Sequence, residues 1–134
     1  MTHTINKSVF LSASPETVWA HLTKSELLAK WFHPARADLV EGKDFELYSQ
    51  KDGDRMCWGR VTSATPHSAL LWDFTVGPLQ GAMTRVAWTL EESEGGTKLM
   101  LEHSGLPEGA EGYGLVMALD KGWHGFMGQL HDIS

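Results

Sequence analysis

Few residues in this sequence could do chemistry, and His103 is first among them. It follows Leu99 and Leu101 in "TKLMLEHSG", where alternation sets those three side chains on one side and Lys98, Met100 and Glu102 on the other. An imidazole closing an apolar row can anchor a ligand's polar group or move a proton; it can equally be a core histidine satisfied by a backbone carbonyl. Trp31, Phe32, Trp72, Phe74, Trp88, Trp123 and Phe126, with Met127, could form the flat apolar walls of a small-molecule pocket. The same rings can also be ordinary core. Tyr48 and Tyr113 are further polar candidates whose facing the sequence does not fix.

Other chemistries find no support. The seven histidines show no short paired spacing with Cys or carboxylates, and His124 and His131 lie two helical turns apart, so no metal site is expected. The single Cys57 cannot make an internal disulfide and has no basic neighbour in sequence, which suits a buried, inert thiol in a reducing compartment. There is no Gly-x-Ser-x-Gly, dinucleotide fingerprint or P-loop, and no cofactor is expected. The carboxylates of "EESE" and "PEGAEG" read as solvated turns. A net charge of -6 without a basic patch argues against nucleic acid and anionic membranes as partners. No apolar run is long enough for a membrane span or signal peptide, so a cytoplasmic location is expected.

These side chains need elements to position them. A hydrophobic content of 42% with six Trp indicates a folded chain, and 134 residues suit a single domain over 1–134. "TINKSVFLSA" alternates as a half-buried strand. Ser14, Pro15 and Glu16 then open a helix carrying Val18, Trp19 and Leu22, and Ser25 or Thr23 opens a second with Leu27, Leu28, Trp31 and Phe32 on one face, ended by Pro34. From about 36 to 104 the chain reads as six strands: "RADLV" and "KDFELY" around Glu41-Gly42, "MCWGRVTSA" and "ALLWDFTV" around Thr65-Pro66-His67, "MTRVAWTLEE" and "TKLMLEHSG" around Ser93–Gly96. With the first, that makes about seven strands in one antiparallel sheet. Leu70, Trp72, Phe74 and Val76 form one apolar row, and Val86, Trp88 and Leu90 another.

A covering element comes last. At about 100° per residue, Leu115, Leu119, Trp123, Phe126, Met127 and Leu130 share an arc of about 120°, the stripe of an amphipathic helix. Gly122 lies at its edge, while Gly125 and Gly128 point away beside Met117, Lys121 and His124. Two readings of those glycines stay open: a solvated, slightly weakened face, or a surface where a second copy comes close to form a homodimer.

"SASPETVWAHLTKSELLAKWF", "WGRVTSATPHSALLWDF", "RVAWTLEESEGGTKLMLEHSGLP" and "GWHGFMGQL" together resemble the START-like (SRPBCC) superfamily, and within it the branch similar to the C-terminal domain of the activator of Hsp90 ATPase. The resemblance runs from about residue 5 to 131. It implies an α+β helix-grip (START/Bet v1-like) fold with two short helices after the first strand and a sheet wrapped on the long C-terminal helix. It also implies a cavity between sheet and helix. The leading expectation is a binding module for a small apolar ligand such as a lipid, rather than an enzyme. It would be walled by Trp31, Phe32, Trp72, Phe74, Trp88, Trp123, Phe126 and Met127, with His103 as polar anchor. A chaperone-binding interaction module is the second expectation, and a cyclase or hydrolase acting on an aromatic polyketide the third.

Overall fold

The computed structural model describes residues 3–133, Glu111 by its backbone alone. The chain runs β1 (His3–Leu11), α1 (Pro15–Thr23), α2 (Ser25–Trp31), β2 (Asp44–Tyr48), β3 (Arg55–Thr65), β4 (Ala69–Val76), β5 (Thr84–Ser93), β6 (Gly96–Leu106) and α3 (Ala110–Ile133), with a short 3₁₀ turn at Gly77–Leu79. The sheet is antiparallel in the order β1-β6-β5-β4-β3-β2. All sequential strands except the first are neighbours, so β2 to β6 form a meander and β1 closes against its far edge. This is the helix-grip architecture.

Each start signal acts where its chemistry requires. Ser14 caps α1, its hydroxyl accepting from the Thr17 amide, with Pro15 at the first helical position. The β5–β6 hairpin turns on Glu94 and Gly95, both with positive φ, so Ser93 pairs directly with Gly96. Counting back from that turn sets Val86 opposite His103 and Trp88 opposite Leu101.

The sheet has six strands among the described residues, not the expected seven. Residues 36–40 form no strand, and Ala35 alone makes a bridge, to Leu47. The reason lies in competing partners. The Leu39 amide donates to the Thr23 carbonyl at 2.7 Å, and the Asp38 carboxylate accepts from the Ser25 amide at 2.9 Å. That second bond also corrects the helix start: Ser25 is the first helical residue of α2, whose cap position, Lys24, makes no side-chain capping bond. Asp38 satisfies the orphan amide instead, and this bond is the main reason its carboxyl lies below the usual carboxylate range. Glu41-Gly42 accordingly makes a turn leading into β2 rather than a hairpin, with the Gly42 amide bonded to the Val61 carbonyl.

The core lies between the inner face of the sheet and the three helices. Ile5, Leu11, Phe45, Leu47, Val61, Leu70, Trp72, Phe74, Val86, Trp88, Leu99, Leu101 and His103 are buried there. Helix α3, 24 residues and so about 36 Å long, buries Val116, Trp123, Met127 and Leu130 on this face and leaves Leu115, Leu119 and Phe126 half-buried. The stripe is thus the expected one with Val116 added at its N-terminal end. Lys7 on β1 reaches Asp120 on α3 at 2.7 Å and ties the helix to the sheet edge.

Gly125 and Gly128 are exposed, with nothing within 4 Å of where a Cβ would sit, whereas a Cβ on Gly59 would fall 1.8 Å from the Asp73 carbonyl oxygen. Replacing Gly125 and Gly128 by Ala should therefore stabilise α3, each by about 0.5–1 kcal/mol. Gly59→Ala should cost about 1–3 kcal/mol or more, because β3 and β4 must separate. Urea unfolding of the variants checks both signs.

Candidate functional site

His103 sits on β6, next to the edge strand of the sheet, flanked in register by Ile5 on β1 and Val86 on β5, and is 0% exposed. Its hydrogen bonds are complete. The Trp123 Nε1–H donates to Nδ1 at 3.0 Å, and Nε2 lies 2.7 Å from the Thr84 hydroxyl. Thr84 has one proton, which it donates to the Phe74 carbonyl at 2.6 Å. Its oxygen must therefore accept from His103, which fixes a neutral imidazole protonated on Nε2. The relay runs Trp123 to His103 to Thr84 to Phe74, from helix through β6 and β5 to β4. Burial pushes the His103 pKa down to about 4. A proton added at Nδ1 would face the Trp123 N–H, donor against donor. His103 is thus satisfied, though by side chains rather than the backbone carbonyl that a core histidine was expected to find. It presents no free nitrogen to a ligand.

The aromatic side chains singled out above meet around this relay. Trp31 stacks on Phe32 with centroids 5.2 Å apart and meets Trp88 edge to face at 6.0 Å. Trp88 touches Trp72 at 5.8 Å and Trp123 at 5.6 Å, and Phe74 lies 5.8 Å from Trp123. Phe32 bridges to Trp123 at 5.3 Å and to Phe126 at 4.8 Å. Met127 is buried in the same cluster. All nine residues are brought together, but as eight rings packed against one another with Met127 in the same core. Clefts lie elsewhere on the surface; one of about 410 Å³ lies on the outer sheet face beside Asn6, Ala87 and Met100, and another of about 410 Å³ between Pro107 and Met117.

Within the cluster the indole N–H groups divide into two kinds. Trp31 donates to the His21 carbonyl at 2.8 Å and Trp123 to His103. Trp72 and Trp88 have no acceptor among the described residues.

Sequence reasoning missed Thr84 and His33. Thr84 was legible in principle, since it extends the inward row of Val86 and Trp88 and the two-residue turn sets it beside His103. His33 follows α2 and packs against Phe32 at 4.7 Å and Phe126 at 5.1 Å, half-buried at the rim of the cluster, with its pKa lowered by that burial. No periodicity marks it. The tyrosines lie outside the cluster: Tyr48 sits under the Arg36 guanidinium at 4.6 Å, and Tyr113 is exposed. Cys57 is buried, its thiol pKa pushed far up. Among the described residues no three His, Cys, Asp or Glu side chains gather as a metal site, and no helix is long and apolar enough to cross a membrane.

The His103 environment makes stability depend on pH in one direction. The unfolded chain protonates this residue below its ordinary 6.5, while the folded chain resists until about 4, so stability is full above that window and falls as pH drops through it. The expected loss is up to about 3 kcal/mol, with His33 adding in the same direction. Urea unfolding at about pH 7 and about pH 4.5 should show this slope in the wild type and a flatter one in His103→Gln. Equal slopes would contradict it.

Solved structures of known proteins share this architecture. The chain matches the Aha1 dimer protein from Colwellia psychrerythraea at 23% identity, covering 97% of this chain and 94% of that one, with a TM-score of 0.81. It matches MLL2253 from Mesorhizobium loti at 22% identity, over 97% and 95% of the two chains, with a TM-score of 0.83. DynU16, described as a putative protein in the dynemicin biosynthetic locus, gives 26% identity and a TM-score of 0.79 over 96% of this chain but 46% of its own. No curated protein gives a significant match. The family model described as activator of Hsp90 ATPase homolog 1-like protein matches residues 12–134. With nearly the whole length matched and the helix-grip fold in place, the chain belongs to the activator of Hsp90 ATPase homolog 1-like family, within the SRPBCC fold group.

Proposed function

We propose that the protein is a binding module for a small, mostly apolar ligand held between α3 and the inner face of the sheet. The observation that carries this is the continuous run of rings from buried Trp72 to the half-buried rim at Phe126 and His33. In the unliganded chain these rings touch, so the site is one that a ligand opens. Phe32 and Phe126 stand between the rim and Trp123. If they swing outward, an incoming planar molecule exchanges ring–ring contacts for equivalent ring–ligand contacts. Trp31, Trp72, Phe74, Trp88 and Trp123 supply walls, and the unbranched Met127 adapts its shape. His103 then serves as wall and as the tether of Trp123, not as the anchor the sequence suggested.

A second reading, contact with a chaperone through the surface, draws on the family match and on the exposed Tyr113 and Met117, 64% and 54% accessible, on α3. The two readings separate by which residues matter. A tryptophan-fluorescence titration against planar aromatics and fatty acids should give at least one dissociation constant of about 1–10 μM or tighter. Widening the rim with Phe126→Ala should speed association, while the pair Tyr113→Ser and Met117→Ser should leave ligand binding unchanged. Absence of binding across such a panel, with Hsp90 retained on the immobilised wild type and lost with that pair, would favour the chaperone reading instead.

A further inference from the structure

Trp72 and Trp88 leave two indole N–H donors without an acceptor among the described residues, although these residues are 0% and 1% exposed. They are diagonal neighbours on the inner face, Trp72 opposite Val86 and Trp88 opposite Leu70, and their rings meet at 72°. Folded proteins leave few such donors, because an N–H stripped of water and given nothing in return loses its hydrogen bond outright. The surroundings explain why no side chain compensates. Trp72 packs against Phe45 and Phe74, and Trp88 against Trp31 and Trp123. The Thr84 hydroxyl, which lies beside Phe74 and His103 in this cluster, is already committed to His103 and the Phe74 carbonyl.

Resting on the ligand-binding reading above, we propose that the missing partner is a hydrogen-bond acceptor on the ligand. The ligand class is then a flat, uncharged, mostly apolar molecule carrying a carbonyl or ether oxygen, which takes the N–H of Trp72, Trp88 or both. A carboxylate is the wrong group: among the described residues the buried polar side chains are Thr23, Thr75, Thr84, Thr97 and His103, with no cation among them to balance a buried anion. A hydroxyl fits poorly too, since it brings a donor needing an acceptor of its own.

Fluorene and 9-fluorenone share one tricyclic skeleton and differ by a single carbonyl oxygen, which makes them the matched probes. Calorimetric titration of the wild type should show fluorenone binding about tenfold more tightly. In protein labelled with ¹⁵N-tryptophan, fluorenone should move the indole N–H resonances of Trp72 or Trp88 downfield, and fluorene should not. Replacing whichever tryptophan's resonance moves, by Trp72→Phe or Trp88→Phe, should reduce the affinity ratio; the wild-type resonances decide the matter even if these variants fail to fold. Equal affinities, or unmoved indole resonances with both probes bound, overturn the acceptor while leaving ligand binding intact. Failure of both probes to bind overturns both.

Discussion

The hydrogen bond from the Trp123 indole to His103 is the constraint on which the interior depends, because it joins a helix to a sheet inside the buried ring cluster. Helix α3 carries glycines at 122, 125 and 128, each of which weakens it. A helix so built is held by its tertiary contacts rather than by propensity. Two bonds do this: Lys7 to Asp120 at the edge by β1, and Trp123 to His103 within the apolar stripe. The first is partly exposed and screened; the second is buried, so losing either partner leaves the other unsatisfied.

The relay beyond His103 extends that constraint into the sheet. Because Thr84 must give its only proton to the Phe74 carbonyl, His103 has one tautomer available, and Trp123 therefore has one orientation in which its N–H is met. The rings that pack on Trp123, namely Phe32, Phe74, Trp88 and Phe126, inherit that placement. Polar satisfaction is complete on this side of the cluster and incomplete on the other, at Trp72 and Trp88. That asymmetry, within a single hydrophobic core, is what distinguishes the interior from an ordinary one. It also lies along the path from the rim at His33 and Phe126 inward.

Much of this was legible in the sequence, for identifiable reasons. Ser14-Pro15 and Glu94-Gly95 are local signals whose chemistry acts within a few residues, and both elements formed where the signals stood. Alternation placed His103, Trp72 and Trp88 inward because side-chain direction in a strand has period two. The lost strand at residues 36–40 failed because its groups were claimed from a distance: Asp38 by the start of α2, Leu39 by the end of α1. Periodicity carries no information about such long-range claims. For the same reason it grouped the aromatic rings correctly yet did not tell a hollow chamber from a filled one, which depends on how rings from α2, α3 and the sheet meet. His33 escaped notice because it follows a helix end, where no repeat pattern applies.

Nitrogen NMR of the His103 ring tests the central claim most directly. The relay requires a neutral imidazole with its proton on Nε2 and a bare Nδ1 receiving the Trp123 N–H, unchanged from neutral pH down to about pH 5. A ring protonated on Nδ1, or one that carries both protons near neutrality, would mean that Trp123 does not hold α3 to the sheet in the way described.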